Sequence, residues 1–337
     1  MKSLRDATVV ITGASSGIGL ATARAFARRG ANVALAARRS ELLEEAARDC
    51  EALGGRSLAF TTDVTDPEQV RELASAAASA FGGIDVWVNN AGTSMWGPFE
   101  EIPVESQACL IELNLLGAIY GSHAALPHFF DRGGRGVIIN VSSVFGRVPM
   151  PFAASYSASK AGLAGFTEAL RFELSSHSGI EVCGVYPAYV DTPTYLNSAN
   201  YTGRTLRPVP PVVPPERVAE RIVGMALRPR RSARVGALNA SSVPFALAPD
   251  LSGPLAARSG GHFLFRSGPP ADDSDGGLFE TVAGRAKARG DWGIPERRRV
   301  RRALAIGPVL AAGASALFLP LARRAANAIS ERSRSAD

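Results

Sequence analysis

The first 190 residues predict a doubly wound α/β fold, a parallel sheet covered by helices on both faces. Three observations carry that expectation. Short, nearly continuous apolar runs alternate with longer segments of helical spacing. The runs lack the polar–apolar alternation of a sheet with one wet face. The first of them opens directly into a glycine-rich turn and a helix. The chain has 337 residues and is 46% hydrophobic, enough to bury a full core and to exclude disorder as the main reading.

The predicted strands are, in order, Thr8–Thr12 (TVVIT), Asn32–Ala36 (NVALA), Ser57–Thr61 (SLAFT), Asp85–Asn89 (DVWVN), Gly136–Val141 (GVIINV) and Glu181–Tyr186 (EVCGVY). Between them Gly17–Arg29 and Ser40–Leu53 place Ala, Leu, Glu and Arg at helical spacing. The Pro-, Asn- and Thr-rich stretch Thr194–Pro215 breaks the pattern and reads as a loop. A helix from Pro215 to about Leu227 follows, opening Pro-Glu as helix starts often do. Residues 236–296 are rich in Gly, Pro, Ser and Asp, and Ser267–Gly277 (SGPPADDSDGG) is the clearest linker. The expected organisation is a folded domain over 1–235, an extension and linker over 236–296, and a basic-flanked apolar segment over 297–337. No internal repeat is visible.

Thr12-Gly13-Ala14-Ser15-Ser16-Gly17-Ile18-Gly19 follows the first strand and opens the first helix. Glycines at such a turn let the backbone approach a pyrophosphate, whose charge meets the free N–H groups of the helix start. The spacing is TGxxxGxG, and with it the chain begins to resemble the short-chain dehydrogenase/reductase family, a Rossmann-type fold. Within that resemblance Gly13, Ser15, Ser16, Gly17, Ile18 and Gly19 hold a dinucleotide. The second strand ends Ala36-Ala37-Arg38-Arg39 with no carboxylate at its tip. An acid there would bind the ribose 2′-hydroxyl, whereas an Arg accommodates a 2′-phosphate. NADP(H) is therefore expected over NAD(H), with Arg38 as the phosphate contact. Asp63 and Val64 resemble the family's pair beside the adenine ring, and Asn89-Asn90-Ala91-Gly92 its NNAG stretch, so that Asn90, Ala91 and Gly92 line the cofactor. Tyr186-Pro187-Ala188-Tyr189-Val190-Asp191-Thr192-Pro193 resembles its PGxVxT segment, which brings Pro187, Val190 and Thr192 to the nicotinamide. Ala188 stands where glycine is usual, and a negative φ there would keep the turn.

Tyr156-Ser157-Ala158-Ser159-Lys160 sets a phenol and an ammonium four residues apart, on one face of a helix. A free tyrosine titrates near ~10, too high for a base at neutral pH. Neighbouring positive charge, from Lys160 and an oxidised nicotinamide, is expected to lower it. The chain has three lysines, Lys2, Lys160 and Lys287, among 37 basic residues. A lysine where arginine is the default suggests that a compact ammonium is required, one that holds the cofactor ribose hydroxyls. Tyr156 follows Asn140-Val141-Ser142-Ser143 at the family's distance. The resemblance then gives Ser143, rather than Ser142, the task of holding the substrate oxygen, and Asn114 a proton relay to Lys160. The implied activity is hydride transfer between NADP(H) and a carbonyl or alcohol, with Tyr156 as acid–base group. A ketoreductase on carrier- or CoA-bound acyl chains and a non-catalytic NADP(H)-binding sensor are the alternatives. Family resemblance also implies a homo-oligomer, a dimer or tetramer.

Charge divides unevenly: 23 basic against 22 acidic residues over 1–235, and 14 against 9 over 236–337. Nucleic acid is not expected as a partner, because the basic tail lacks interleaved aromatics. Cys50, Cys109, Cys183 and the four histidines show no metal spacing, so no metal is expected and the thiols suit a reducing compartment. The polar opening Met1–Asp6 reads as a cytoplasmic start. Ala303–Ala322 (ALAIGPVLAAGASALFLPLA) is twenty residues without a charge, a length that can cross a ~30 Å hydrocarbon core. Five arginines precede it and two follow within 297–324, which keeps the folded domain on the cytoplasmic side. A span, an interfacial helix and a helix packed on a partner subunit all remain open for this segment.

Overall fold

The computed structural model describes residues 3–266, 268–282 and 286–292. Residues Met1–Trp292 form one compact unit. The second unit, Gly293–Asp337, lies outside the described residues, and the apolar segment Ala303–Ala322 with its flanking arginines lies there too.

In chain order the described strands are β1 (Thr8–Thr12), β2 (Asn32–Ala37), β3 (Arg56–Thr61), β4 (Val86–Asn89), β5 (Met95–Trp96), β6 (Gly136–Val141), β7 (Ile180–Pro187), β8 (Ala199–Asn200) and β9 (Ser232–Val235). Seven of them form a sheet in the order β3-β2-β1-β4-β6-β7-β9, every pair parallel. The short β5 and β8 pair separately, also in parallel. This is the doubly wound fold that the alternation predicts, and each of the six predicted strands occurs within one residue at either end. β9 was not expected. It has four residues, pairs only with β7 at the sheet edge and buries only Val235, so it carries no readable apolar pattern.

The continuous apolar runs have their reason in the two cores. Val9 and Ile11 of β1, Val33 and Leu35 of β2, and Val137 and Ile139 of β6 face one side, beneath helices Gly17–Ala27 and Pro215–Leu227. Val10, Ala34, Ala36, Trp87 and Ile138 face the other, beneath helices Pro67–Phe81 and Gly117–Asp131. Successive side chains alternate between faces, and both faces are covered, so apolar residues are needed at every position. Helix Pro67–Phe81 starts at Asp66, whose carboxylate accepts from the Glu68 and Gln69 amides, and ends at Gly82 in the left-handed region.

One helical run among the described residues, Val104–Asp131, is long and apolar enough to cross a membrane. It belongs to the helical layer on the sheet, and a π turn at Glu112–Leu116 interrupts it at Asn114. Where composition predicts extension and linker, the structure has helices Ser242–Leu247 and Pro249–Arg266. The chain then returns across the carboxyl ends of the strands.

Candidate active site

The strand order reverses between β1 and β4, and the crevice at their carboxyl ends is where this architecture takes ligands. A continuous cleft lies there, with the glycine loop at one end and Tyr156 with Lys160 at the other. Gly13 and Gly17 have φ of +66° and +57°, the left-handed region that favours glycine. A Cβ on Gly19 would lie 2.1 Å from the Gly13 carbonyl oxygen, so Gly19 allows the loop to sit on its helix and does not itself line the cleft. Gly13, Ser15, Ser16, Gly17 and Ile18 do line it. Asn90 holds the loop from below, its amide donating to the carbonyls of Thr12 (2.9 Å) and Gly13 (3.2 Å). Asn90, Ala91 and Gly92 line the floor, and Asp63 and Val64 one wall. The cleft runs unbroken from Arg39 to Tyr156, past a strand-to-helix loop whose Gly13 and Gly17 adopt the left-handed turn, so the residues present fit a dinucleotide.

The structure places the expected phosphate contact, Arg38, at the cleft beside Arg39. Both arginines reach the cleft, but the Arg38 guanidinium is spent on backbone carbonyls of the extension, those of Gly277, Leu278 (3.0 Å) and Phe279 (3.2 Å). Arg39 donates to the hydroxyls of Ser15 (3.1 Å) and Ser16 (3.2 Å) in the glycine loop and to the Val282 carbonyl (3.1 Å) of the extension. Burial and the adjacent Arg38 charge lower the Arg39 pKa, which marks a place where an anion would be welcome.

Helix Ala154–Glu173 carries Tyr156 and Lys160 into the cleft beside Ser143 at the end of β6. The Ser143 hydroxyl oxygen accepts from the Phe145 amide (3.2 Å), while Ser142 donates to the Lys160 carbonyl (2.8 Å). The expected acidification of Tyr156 is not present in the protein alone. Burial pushes the phenol above its ordinary value, and hydrogen bonding with Ser143 offsets this only in part. Lys160 is buried as well, and burial lowers it to about 8. The Lys160 ammonium donates to the Val141 carbonyl at 3.3 Å.

Asn114 is buried behind the cleft at the π turn, a local distortion that recurs at functional sites. Its side chain pairs with both backbone groups of Thr93 (2.9 and 3.0 Å) and donates to Ser159 (3.0 Å).

Pro187, Val190 and Thr192 line the far end of the cleft. Positive φ among described non-glycine residues occurs at Asp6, Phe152 and Asp291, so Ala188 keeps its turn without strain. Sequence reasoning missed the rings around Tyr156. Trp96 and Phe145 stand 6.5 and 6.4 Å from its ring centroid. Tyr189 packs on Phe145 at 5.6 Å, and Tyr195 on Tyr189 at 6.3 Å. One signal was available: four of the six tyrosines fall between Tyr186 and Tyr201.

Comparison with known proteins identifies the family and the fold. A family model described as short chain dehydrogenase matches residues 7–200. The uncharacterized oxidoreductase YxnA of Bacillus subtilis is 37% identical over 243 residues, covering 70% of this chain and 67% of that protein. The 3beta-hydroxysteroid dehydrogenase 1 of Eggerthella lenta is 41% identical over 191 residues, 56% of this chain and 73% of its own. Among solved structures, a short-chain type dehydrogenase/reductase from Mycobacterium marinum superposes with a TM-score of 0.62 at 27% identity, covering 70% of this chain and 96% of that one.

Proposed function

The chain belongs to the short-chain dehydrogenase/reductase family of oxidoreductases, and on that premise we propose that it interconverts an apolar ketone and its secondary alcohol with NADP(H), using Tyr156 as acid–base group. The observation that carries the reading is the convergence of Ser143, Tyr156 and the buried Lys160 on the lining of one cleft.

In reduction, Tyr156 gives its hydroxyl proton to the carbonyl oxygen that Ser143 holds, and Lys160 restores a proton to Tyr156. Oxidation reverses these transfers. The dinucleotide, when bound, supplies or takes up the hydride. A phenol kept protonated by burial is suited to donate. Asn114 positions the stretch around Thr93 and reaches Ser159 on the catalytic helix. Arg39 is the group for a 2′-phosphate, and the β2 tip offers no carboxylate that would prefer a free ribose. The rings of Trp96, Phe145, Tyr189 and Tyr195 support an uncharged, apolar substrate over a carboxylate.

The test is NADPH consumption against a panel of ketones and aldehydes, with and without detergent, repeated with NADH. Turnover with bulky apolar ketones and a preference for NADPH is expected. NADPH binding without turnover on any compound would replace this reading with that of a non-catalytic sensor.

A further inference from the structure

After its two helices the extension comes back over the cleft and is fastened at both ends. At the adenosine end, Gly276 approaches the loop after β7 so closely that a Cβ would lie 2.5 Å from the carbonyl oxygens of Asn197 and Ser198. The Gly277 amide donates to Asn197 (2.8 Å), and the Asp275 carboxylate accepts from Ser106 (2.6 Å) and from Tyr201. Leu278 is buried, and Arg38 and Arg39 together donate to four carbonyls between Gly277 and Val282.

At the other end Ala286 and Ala288 sink into the core, with exposed Lys287 and Arg289 in alternation. The amide of Gly17, the first residue of the glycine-loop helix, donates to the Lys287 carbonyl at 3.0 Å. The Gly290 amide donates to Asp191 (3.3 Å), and a Cβ on Gly290 would lie 2.3 Å from the Thr192 carbonyl oxygen. The Trp292 indole N–H donates to that same oxygen at 2.8 Å, and its ring stands edge-on to Tyr195 at 5.9 Å.

We propose that residues 275–282 are an outer wall of the cofactor cleft, fastened beyond it by residues 286–292, beneath which the dinucleotide binds and which must unfasten for it to exchange. The proposal rests on the reading that this cleft takes NADP(H). A wall is favoured over a plug because the cleft stays continuous under it: Gly277, Thr281 and Val282 line the same space as Ser15, Arg39 and Lys160. The wall and its fastening touch the glycine loop at Gly17, the 2′-phosphate end at Arg38 and Arg39, and the nicotinamide end at Thr192. Release of the dinucleotide from under such a segment is limited by local opening.

Two measurements on the full chain test this, with NADPH as the probe. Trypsin cleavage after Lys287 and Arg289, followed by mass spectrometry, is expected to slow about tenfold when NADPH saturates the protein. Stopped-flow release of NADPH is expected to quicken about tenfold in Gly290→Val and in Trp292→Ala, with cooperative thermal unfolding retained. Cleavage that NADPH accelerates or leaves unchanged overturns the wall, as does unaltered release in a folded variant. Absence of NADPH binding to the unmodified chain overturns the cofactor reading and the wall with it. Binding with unaltered cleavage overturns the wall alone.

Discussion

Asn114 and Lys160 converge on the α-carbon of Gly92: a Cβ built there would lie 2.6 Å from the Asn114 Oδ1 and 3.2 Å from the Lys160 Nζ. The smallest residue is therefore what lets a buried amide and a buried ammonium share one floor of the cleft. Gly92→Ala must push one of them aside. The expected result is a fall in kcat of about 100-fold, with NADPH affinity changed far less. A variant with ordinary kcat would show that these two groups need not be held where they are.

Tyr156→Phe removes one oxygen from the site and no packing volume. Turnover is expected to vanish while the Kd for NADPH stays within about twofold, the mark of a group used only in the transition state. Residual turnover near that of the unmodified protein would transfer the proton to another donor.

Arg38 and Arg39 separate two roles that adjacent positions would otherwise share. Arg39→Gln removes a charged donor from Ser15, Ser16 and the proposed 2′-phosphate end, and charge-assisted bonds are worth about 1.5–3 kcal/mol. NADPH binding is expected to weaken about tenfold to a hundredfold, with NADH binding nearly constant. Arg38→Gln should weaken both dinucleotides alike, because its bonds go to the carbonyls of the extension. Equal loss of NADPH selectivity in both variants would refute the assignment.

Lys160 makes stability depend on pH with a definite sign. Its folded pKa, about 8, lies below its ordinary 10.5, so the unfolded chain binds the extra proton between these values. Folding carries the cost of a buried ammonium below pH 8, and that cost is lost as pH rises from about 8 to 10.5, so stability rises over this window. Lys160→Met should be more stable than the unmodified protein at pH 7, with the difference closing by pH 10. Denaturant midpoints across that range measure it, and a constant difference would contradict a depressed Lys160.

Much of the site was legible because its chemistry is local. Glycines in a strand-to-helix turn, and a phenol and an ammonium four residues apart, are fixed by backbone geometry within a single turn. The unbroken apolar runs likewise reported a sheet buried on both faces, without needing to say which helix covers which strand. What sequence could not settle is decided by contacts between distant segments. Arg38 and Arg39 are chemically alike, and only the docking of Gly277–Val282 distinguishes them, tying both to the extension while Arg39 also reaches the glycine-loop hydroxyls. Tyr156 has a lysine beside it in any helix, yet its own burial raises its pKa, and tertiary packing determines burial. The stretch that composition reads as linker closes onto the cleft because Gly276 and Gly290 let backbone meet backbone, a fit that exists only once both surfaces have formed.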